Sequence, residues 1–245
     1  MGCSKNDPGE DTDTTEVVNL TLNFQGVFGD QPLRMYEGTY DYPGDVDLRF
    51  QLFQFYLSDI GLLSTKNGQV DTTFISNIDL VSFKDIISED DASKGVSISL
   101  SDVPSGTYDG LVMGIGVAPE YNATQPGDYT PPHPLDDHYW SWARGYVFAK
   151  VEGNADLDGD GTFEEKLTFH LGENEYYRPV VLNETLVIGP SNREMDFRVD
   201  VERMLSDGQG NYVDFRQVTQ DHTNDRDLVR FMMDNLVKAV SMTVN

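Results

Sequence analysis

An all-β domain, built as an antiparallel sandwich or a barrel-like body with one C-terminal α-helix, is the fold that the sequence predicts. Three observations lead there. Apolar residues alternate with polar ones at period two in many short runs, and turn-forming segments such as Lys66-Asn67-Gly68 and Pro104-Ser105-Gly106 separate those runs. Only the last stretch before the C-terminus carries its apolar residues at helical spacing.

The elements follow in order. Residues 4–15 hold Asp, Thr, Asn, Gly and Pro with no large apolar side chain, so they read as a tether that cannot bury enough surface to offset its ordering entropy. From Val17 onward Val18, Leu20, Leu22 and Phe24 alternate with Asn19, Thr21 and Asn23, the pattern of a strand with one buried face. Leu48 to Leu57 continues in that vein, with Phe50, Leu52 and Tyr56 on one parity. Further strand-like runs are Ile78 to Phe83, Val96 to Leu100, Gly106 to Val117, Tyr146 to Val151, Glu165 to Leu171 and Leu186 to Val201. Many short strands with frequent turns point to a sandwich or barrel. Between Asn224 and Val240, Leu228, Phe231, Met232, Leu236, Val237 and Val240 recur at helical spacing, and Asp225 and Asp227 sit where the helix dipole favours acids. No fixed-period repeat and no strong boundary divides the chain, so residues 16–245 read as one domain after a lipoprotein-type N-terminus and flexible tether over residues 1–15.

Composition narrows the functional classes. Lys and Arg number 17 against 42 Asp and Glu, a formal net charge of −25. Such a field repels nucleic acid and anionic membrane surfaces and attracts cations, so a nucleic-acid partner is excluded. No apolar run approaches the roughly 18 residues that suggest a membrane span. Cys3 is the single cysteine, which rules out an intrachain disulfide and any cysteine-based zinc or iron–sulfur site. Gly2-Cys3-Ser4 followed by a polar stretch has the form of a mature bacterial lipoprotein N-terminus, with Cys3 as the lipidated residue and a membrane lipid anchor as the expected outcome. Myristoylation at Gly2 would ask for Ser or Thr at the sixth position, where Asn6 stands.

The residues that could carry chemistry are few. The chain has four histidines, His133, His138, His170 and His222. A lone strand histidine is more often a hydrogen-bonded structural residue than a ligand, but the neighbours of three of these are distinctive: His138 precedes Tyr139 and Trp140, His170 lies in Phe169-His170-Leu171-Gly172, and His222 stands just before the terminal helix. Trp140 and Trp142, two apart, read as residues on one face of a strand, where core packing is the plain explanation. Asp156-Leu157-Asp158-Gly159-Asp160-Gly161 fits the opening of an EF-hand-type Ca²⁺ loop, with Asp156, Asp158, Asp160, Thr162 and Glu165 as candidate ligands. Leu167 occupies the twelfth position, so the usual bidentate Glu is missing; Glu164 or Glu165 would substitute in a shortened loop, and an unfilled acidic turn is the alternative. No Gly-x-Ser-x-Gly, phosphate-cradling glycine loop or His-Glu-x-x-His stretch is present, and the sequence offers no support for an enzyme.

The segment HYWSWARGYVFAKVEG, from His138 to Gly153, resembles the signature of the MbnP family, methanobactin-associated copper-binding proteins. The likeness runs in order along most of the chain: Phe55 to Ile60, Gly106-x-Tyr108 leading to Ile115-Gly116-Val117, His133-Pro134-Leu135, the segment itself, and Phe169-His170-Leu171-Gly172. It implies a β-sandwich-like periplasmic or surface-attached protein that binds copper. In better-known members a tryptophan is oxidised to kynurenine by a partner di-haem enzyme of the MbnH type, which makes Trp140 and Trp142 the candidates here. The resemblance ranks His170 as the first copper ligand and His222 as the second. It adds His138, which stands where relatives often have Met; thioether favours Cu(I) and imidazole accepts either oxidation state, so the change would tune binding. Copper acquisition, storage or delivery outside the cytoplasm is the function implied. A reading from another class stands beside it: a surface lipoprotein that binds protein or glycan through an aromatic platform of Tyr139, Trp140, Trp142 and Tyr146, with Ca²⁺ in a structural loop. Indoles exposed and remote from every histidine would favour that second reading.

Overall fold

The period-two segments become strands in the computed structural model, which describes residues 16–140 and 144–243. In chain order they are β1 (Val17–Phe28), β2 (Gln31–Pro32), β3 (Tyr40–Tyr42), β4 (Val46–Lys66), β5 (Gln69–Ser82), β6 (Val96–Pro104), β7 (Gly106–Tyr108) and β8 (Gly110–Ile115). They continue as β9 (Val147–Asp156), β10 (Glu165–Gly172), β11 (Arg178–Leu182), β12 (Leu186–Ile188), β13 (Glu194–Asp200), β14 (Gln220–Asp221) and β15 (Val240–Thr243). Three short helices, α1 (Glu89–Lys94), α2 (Pro119–Asn122) and α3 (Val201–Leu205), accompany the one substantial helix, α4 (Arg226–Ala239). Cys3, the tether and Trp142 lie outside the described residues.

Two sheets form the sandwich. The smaller runs β15-β13-β1-β2, with β6 also on β1; the larger runs β11-β8-β4-β9-β10-β14, with β3 and β5 on β4; β12 and β7 make a separate ribbon. Pairing is antiparallel except for β1 with β13 and β10 with β14, each joining strands distant in sequence. In β1 the alternation does what it predicts: Leu20, Leu22 and Phe24 are buried, and the Phe24 ring stacks on Phe197 of β13 at 4.8 Å. Burying these rings in one cluster with those of the larger sheet supplies the hydrophobic drive for the domain.

β4, 21 residues long, organises the larger sheet. Its first half pairs with β3 and β9 and its second half with β5 and β8; because the β5 and β9 registers overlap at Gln54 and Phe55, those two strands lie on opposite edges of β4. The β4–β5 hairpin closes through Asn67 and Gly68, both at positive φ (53° and 78°), the type I′ geometry that the Asn-Gly pair favours. The β4–β9 register shifts between Phe50 and Leu52, so an extra residue at Gln51 reverses the strand's parity. Phe50 therefore meets Phe28 of β1, and Phe53 stacks on Phe83, which itself packs against Gly26 of β1. Tyr56, grouped with Phe50 by simple alternation, instead turns to the other face of the sheet, where it is fully buried edge-on to His138.

Other departures have local causes. The run from Leu186 to Val201 divides into β12 and β13 around a turn at Pro190, and Gly106 to Val117 divides into β7 and β8 at Asp109. β11 carries Pro179, which masks it in the sequence; the strand pairs with β8 alone, at the sheet edge where a proline is tolerated. α4 begins after Asp225, whose carboxylate accepts the N–H groups of Asp227 and Leu228 at 3.1 Å. It buries Val229, Met232, Met233 and Leu236, and the chain then passes directly into β15. No described helix is long and apolar enough to cross a membrane. Because Phe197 bridges β1 and β13 in the fully buried core, Phe197→Ala should lower unfolding stability by about 3–5 kcal/mol, read from urea melts; a loss within experimental error would show that the stacked pair does not hold the smaller sheet.

Candidate metal centre

With Phe53, Phe55 and Val151 turned toward the core, the residues between them face outward. Gln54 of β4 pairs in register with Lys150 of β9, and Lys150 with His170 of β10. The parallel β10–β14 pairing, Phe169 opposite Asp221, brings His222 beside His170. A polar row thus crosses the outer face of the larger sheet and ends in two imidazoles, whose ring centroids are 4.8 Å apart at 85°. His170 is half-buried and His222 is exposed, so the pair opens to solvent on one side.

Several hydrogen bonds hold His222 in place. The buried Asp221 carboxylate accepts the N–H groups of Asn224 and Asp225 at 2.9–3.2 Å. Thr223 donates its hydroxyl to the His170 carbonyl and accepts the Gly172 N–H, each at 3.0 Å, which ties the turn to β10. Arg144 donates to the carbonyls of His222 and Thr223 and to Asn224 Oδ1, and pairs with Glu173 at 3.2 Å. His138, Glu173 and Thr223 all adopt positive φ (61°, 78° and 58°), a costly conformation for non-glycine residues that the surrounding contacts must enforce.

The protonation chemistry favours lone pairs at His170. Its Nε2 lies 2.7 Å from Glu152 Oε1; an ionised carboxylate only accepts, so Nε2 carries the proton and Nδ1 keeps its lone pair in the neutral ring. Burial pushes the His170 pKa down, the bond to Glu152 opposes that, and the result is below the ordinary 6.5. Position 152 is the outward residue two along from Lys150 in β9, so the strand's alternation alone sets it beside the histidine.

His138 arrives by a different route. Residues 116–140 and 144–146, between β8 and β9, fold back over the outer face, pinned where Tyr56 donates to the Pro134 carbonyl (2.6 Å) and Tyr146 to that of the buried Leu135 (3.0 Å). His138 Nδ1 then sits 2.9 Å from Lys150 Nζ. An ammonium only donates, so Nδ1 accepts and the remaining proton resides on Nε2. Burial, and then the Lys150 charge, hold the His138 pKa below 6.5. Lys150 therefore stands between His138 and the His170–His222 pair. Among the described residues the three histidines do not form a group of three donors within mutual reach of one ion. His133 is engaged within its own excursion, stacked on Tyr129 at 4.1 Å with Nδ1 accepting the Leu135 N–H.

Trp140 is not part of a regular strand. Tyr139 and Tyr146 form an isolated bridge, and Trp140 N–H bonds to the Gly145 carbonyl at 2.9 Å. The half-buried indole lies against Gly172, where a Cβ would come within 2.9 Å of the ring, with the Arg144 guanidinium 5.7 Å from its centroid. This sets Trp140 two residues along β10 from His170.

The acidic loop follows β9. Oxygens of Asp156, Asp158 and Asp160 lie within 4.8 Å of one another. Burial would raise the Asp156 pKa, but N–H bonds from Gly161 and Gly159, both at 2.8 Å, outweigh it and hold the carboxyl below its ordinary range. Thr162 Oγ1 links Asp160 (2.5 Å) to Glu164 (2.8 Å), while Glu165 starts β10, exposed and opposite Ala155. Glu164 is thus the glutamate connected to the cluster. Sequence reasoning also missed Lys150, Glu152 and Arg144; strand parity could have found the first two, and nothing local marks the third.

The fold and this face define a class: β-sandwich proteins in which a long inter-strand excursion folds back over one sheet and builds a histidine-bearing polar surface. The chain belongs to the MbnP family, whose model matches residues 17–225. Its fold is similar to that of MbnP from Methylosinus trichosporium, with a TM-score of 0.54 over 78% of each chain at 15% identity. No curated protein matches the chain.

Both lowered histidine pKa values make a testable statement about pH. In an NMR titration the ring protons of His138 and His170 should titrate with midpoints below 6.5. In the unfolded chain these rings protonate first, so the stability they contribute is complete above about 6.5 and lost as pH falls toward the folded values. Midpoints at or above 6.5 would contradict the burial and charge arrangement described.

Proposed function

We propose that this protein binds copper as Cu(I) through His170 and His222, and serves copper acquisition, storage or delivery outside the cytoplasm while anchored by a lipid at Cys3. The observation that carries the reading is the pair of imidazoles at 4.8 Å on fixed backbone, one of them held neutral with a free Nδ1 lone pair. Two imidazoles suit the low coordination numbers that Cu(I) accepts, and in competition with other first-row ions a nitrogen site favours copper. Glu152 acts as the outer partner that orients a ligating histidine. The net charge of −25 raises the local concentration of any cation. Membership of the MbnP family supports the same reading.

The position of Trp140 beside Gly172 and near His170 favours copper chemistry over an aromatic platform, which would need indoles remote from the histidines. Trp140 is our candidate for oxidation to kynurenine by a di-haem MbnH-type partner. Mass spectrometry of protein from its native cell would then show one carbon lost and one oxygen gained at that residue. Titration of the purified chain with Cu(I) against a chromophoric chelator should give high-affinity binding at one equivalent. His170→Ala and His222→Ala should each weaken it by about a hundredfold or more, and Glu152→Gln by about 10–100-fold. No high-affinity binding, or unchanged binding in both histidine variants, would overturn the proposal.

We also assign a structural Ca²⁺ to the loop of Asp156, Asp158 and Asp160, on the convergence of their carboxylates. Added Ca²⁺ should raise Tm after chelator treatment, and Asp158→Asn should abolish the increment; a Tm indifferent to Ca²⁺ would remove this assignment.

A further inference from the structure

We propose that Lys150 is a charge filter that biases the His170–His222 site toward monovalent over divalent cations. The inference rests on the copper reading above and deepens it. Lys150 occupies the cross-strand position directly opposite His170, on the same outward face. Directly opposed residues in a sheet hold their side chains side by side, so the ammonium is a fixed neighbour of any ion at that histidine. It does not drift into solvent: Lys150 is half-buried and its Nζ is bonded to His138 Nδ1 at 2.9 Å, and His138 is in turn held by its backbone N–H bond to Asp137 Oδ1 at 2.6 Å. The unusual backbone of His138, at φ 61°, directs its ring to this contact. His138 thus acts as the positioning residue for Lys150.

A single positive charge opposes a monovalent ion once and a divalent ion twice. The difference between them is one extra charge–charge interaction. At a separation on the order of 6 Å and an effective dielectric of about 20–40, that interaction corresponds to a change in relative affinity of about tenfold to a hundredfold. Glu152, bonded to His170, pulls in the opposite sense and would favour the divalent ion if it stood alone. Lys150 offsets it, and leaves an imidazole pair with little net charge around it. Neutral surroundings suit an ion whose binding depends on ligand softness rather than on charge.

The test compares Cu(I) and Zn²⁺ affinities, each by competition with a chromophoric chelator, in the full chain and in Lys150→Met and Lys150→Arg. Lys150→Met should raise the Zn²⁺ affinity about tenfold or more beyond any change in Cu(I) affinity, and Lys150→Arg, which keeps the charge, should restore the wild-type ratio. His138→Leu, which removes the acceptor and releases the ammonium, should move the ratio in the same direction as Lys150→Met. Equal changes for both ions in Lys150→Met, or a ratio in Lys150→Arg that follows Lys150→Met, overturn the filter and assign Lys150 a packing role. If Lys150→Met fails to fold, Lys150→Gln in the same two titrations decides. A wild-type chain that binds Cu(I) with an unchanged ion ratio in the variants sinks only this inference; one that binds no Cu(I) sinks the copper reading and this one with it.

Discussion

One extra residue in the longest strand, at Gln51, determines which side chains of the larger sheet face the core. Without that bulge, parity would carry Phe50 and Tyr56 to the same side. With it, Phe50, Phe53 and Phe55 all pack inward, and Gln54 and Tyr56 are turned out in register with Lys150 and beneath the His138 excursion. The inner face buries large aromatic rings against the smaller sheet, which fixes the parity of the strand. The position of the polar row is therefore a by-product of satisfying the core. Its rigidity has the same origin: strands whose inner faces are locked cannot slide, so the outward residues are held in fixed relation.

Charges on that outer face are matched locally rather than spread. Glu152 meets His170, Lys150 meets His138, Arg144 meets Glu173 and the carbonyls around His222. In a chain with an overall charge of −25, these pairings place two fixed cations, Lys150 and Arg144, beside the imidazole pair. On the proposed reading, cations drawn in by the general field meet a site that selects by ligand type and by the fixed charge of Lys150. Trp140, lying against Gly172 and under Arg144, closes one side of the same face.

Much of the fold could be read from periodicity alone, because a strand or helix with one buried face writes its period directly into the residue order: β1, β9 and β10 follow the strand period and α4 the helical one. The bulge at Gln51 could not, since one inserted residue leaves a run that still looks like a strand. β11 was hidden by Pro179, and the division of β12 from β13 by a turn whose residues do not interrupt the apolar count. At the site, His170 and His222 were picked out by family resemblance, but their contact depends on parallel pairing between segments some fifty residues apart, which no local pattern encodes. Expecting His138 beside them overlooked Lys150, a residue that reads in sequence as one more solvent-exposed cation on a strand. Residue 142, the second tryptophan of the signature, falls outside the described residues.

X-ray absorption spectroscopy of the chain loaded with one equivalent of Cu(I) reports the ligand atoms themselves and so decides whether His170 and His222 hold the metal. The expected spectrum is that of a low-coordinate copper with two imidazole nitrogens and no sulfur, with one imidazole contribution lost in His222→Ala. Sulfur in the first shell, or an imidazole count unchanged by that substitution, would contradict it.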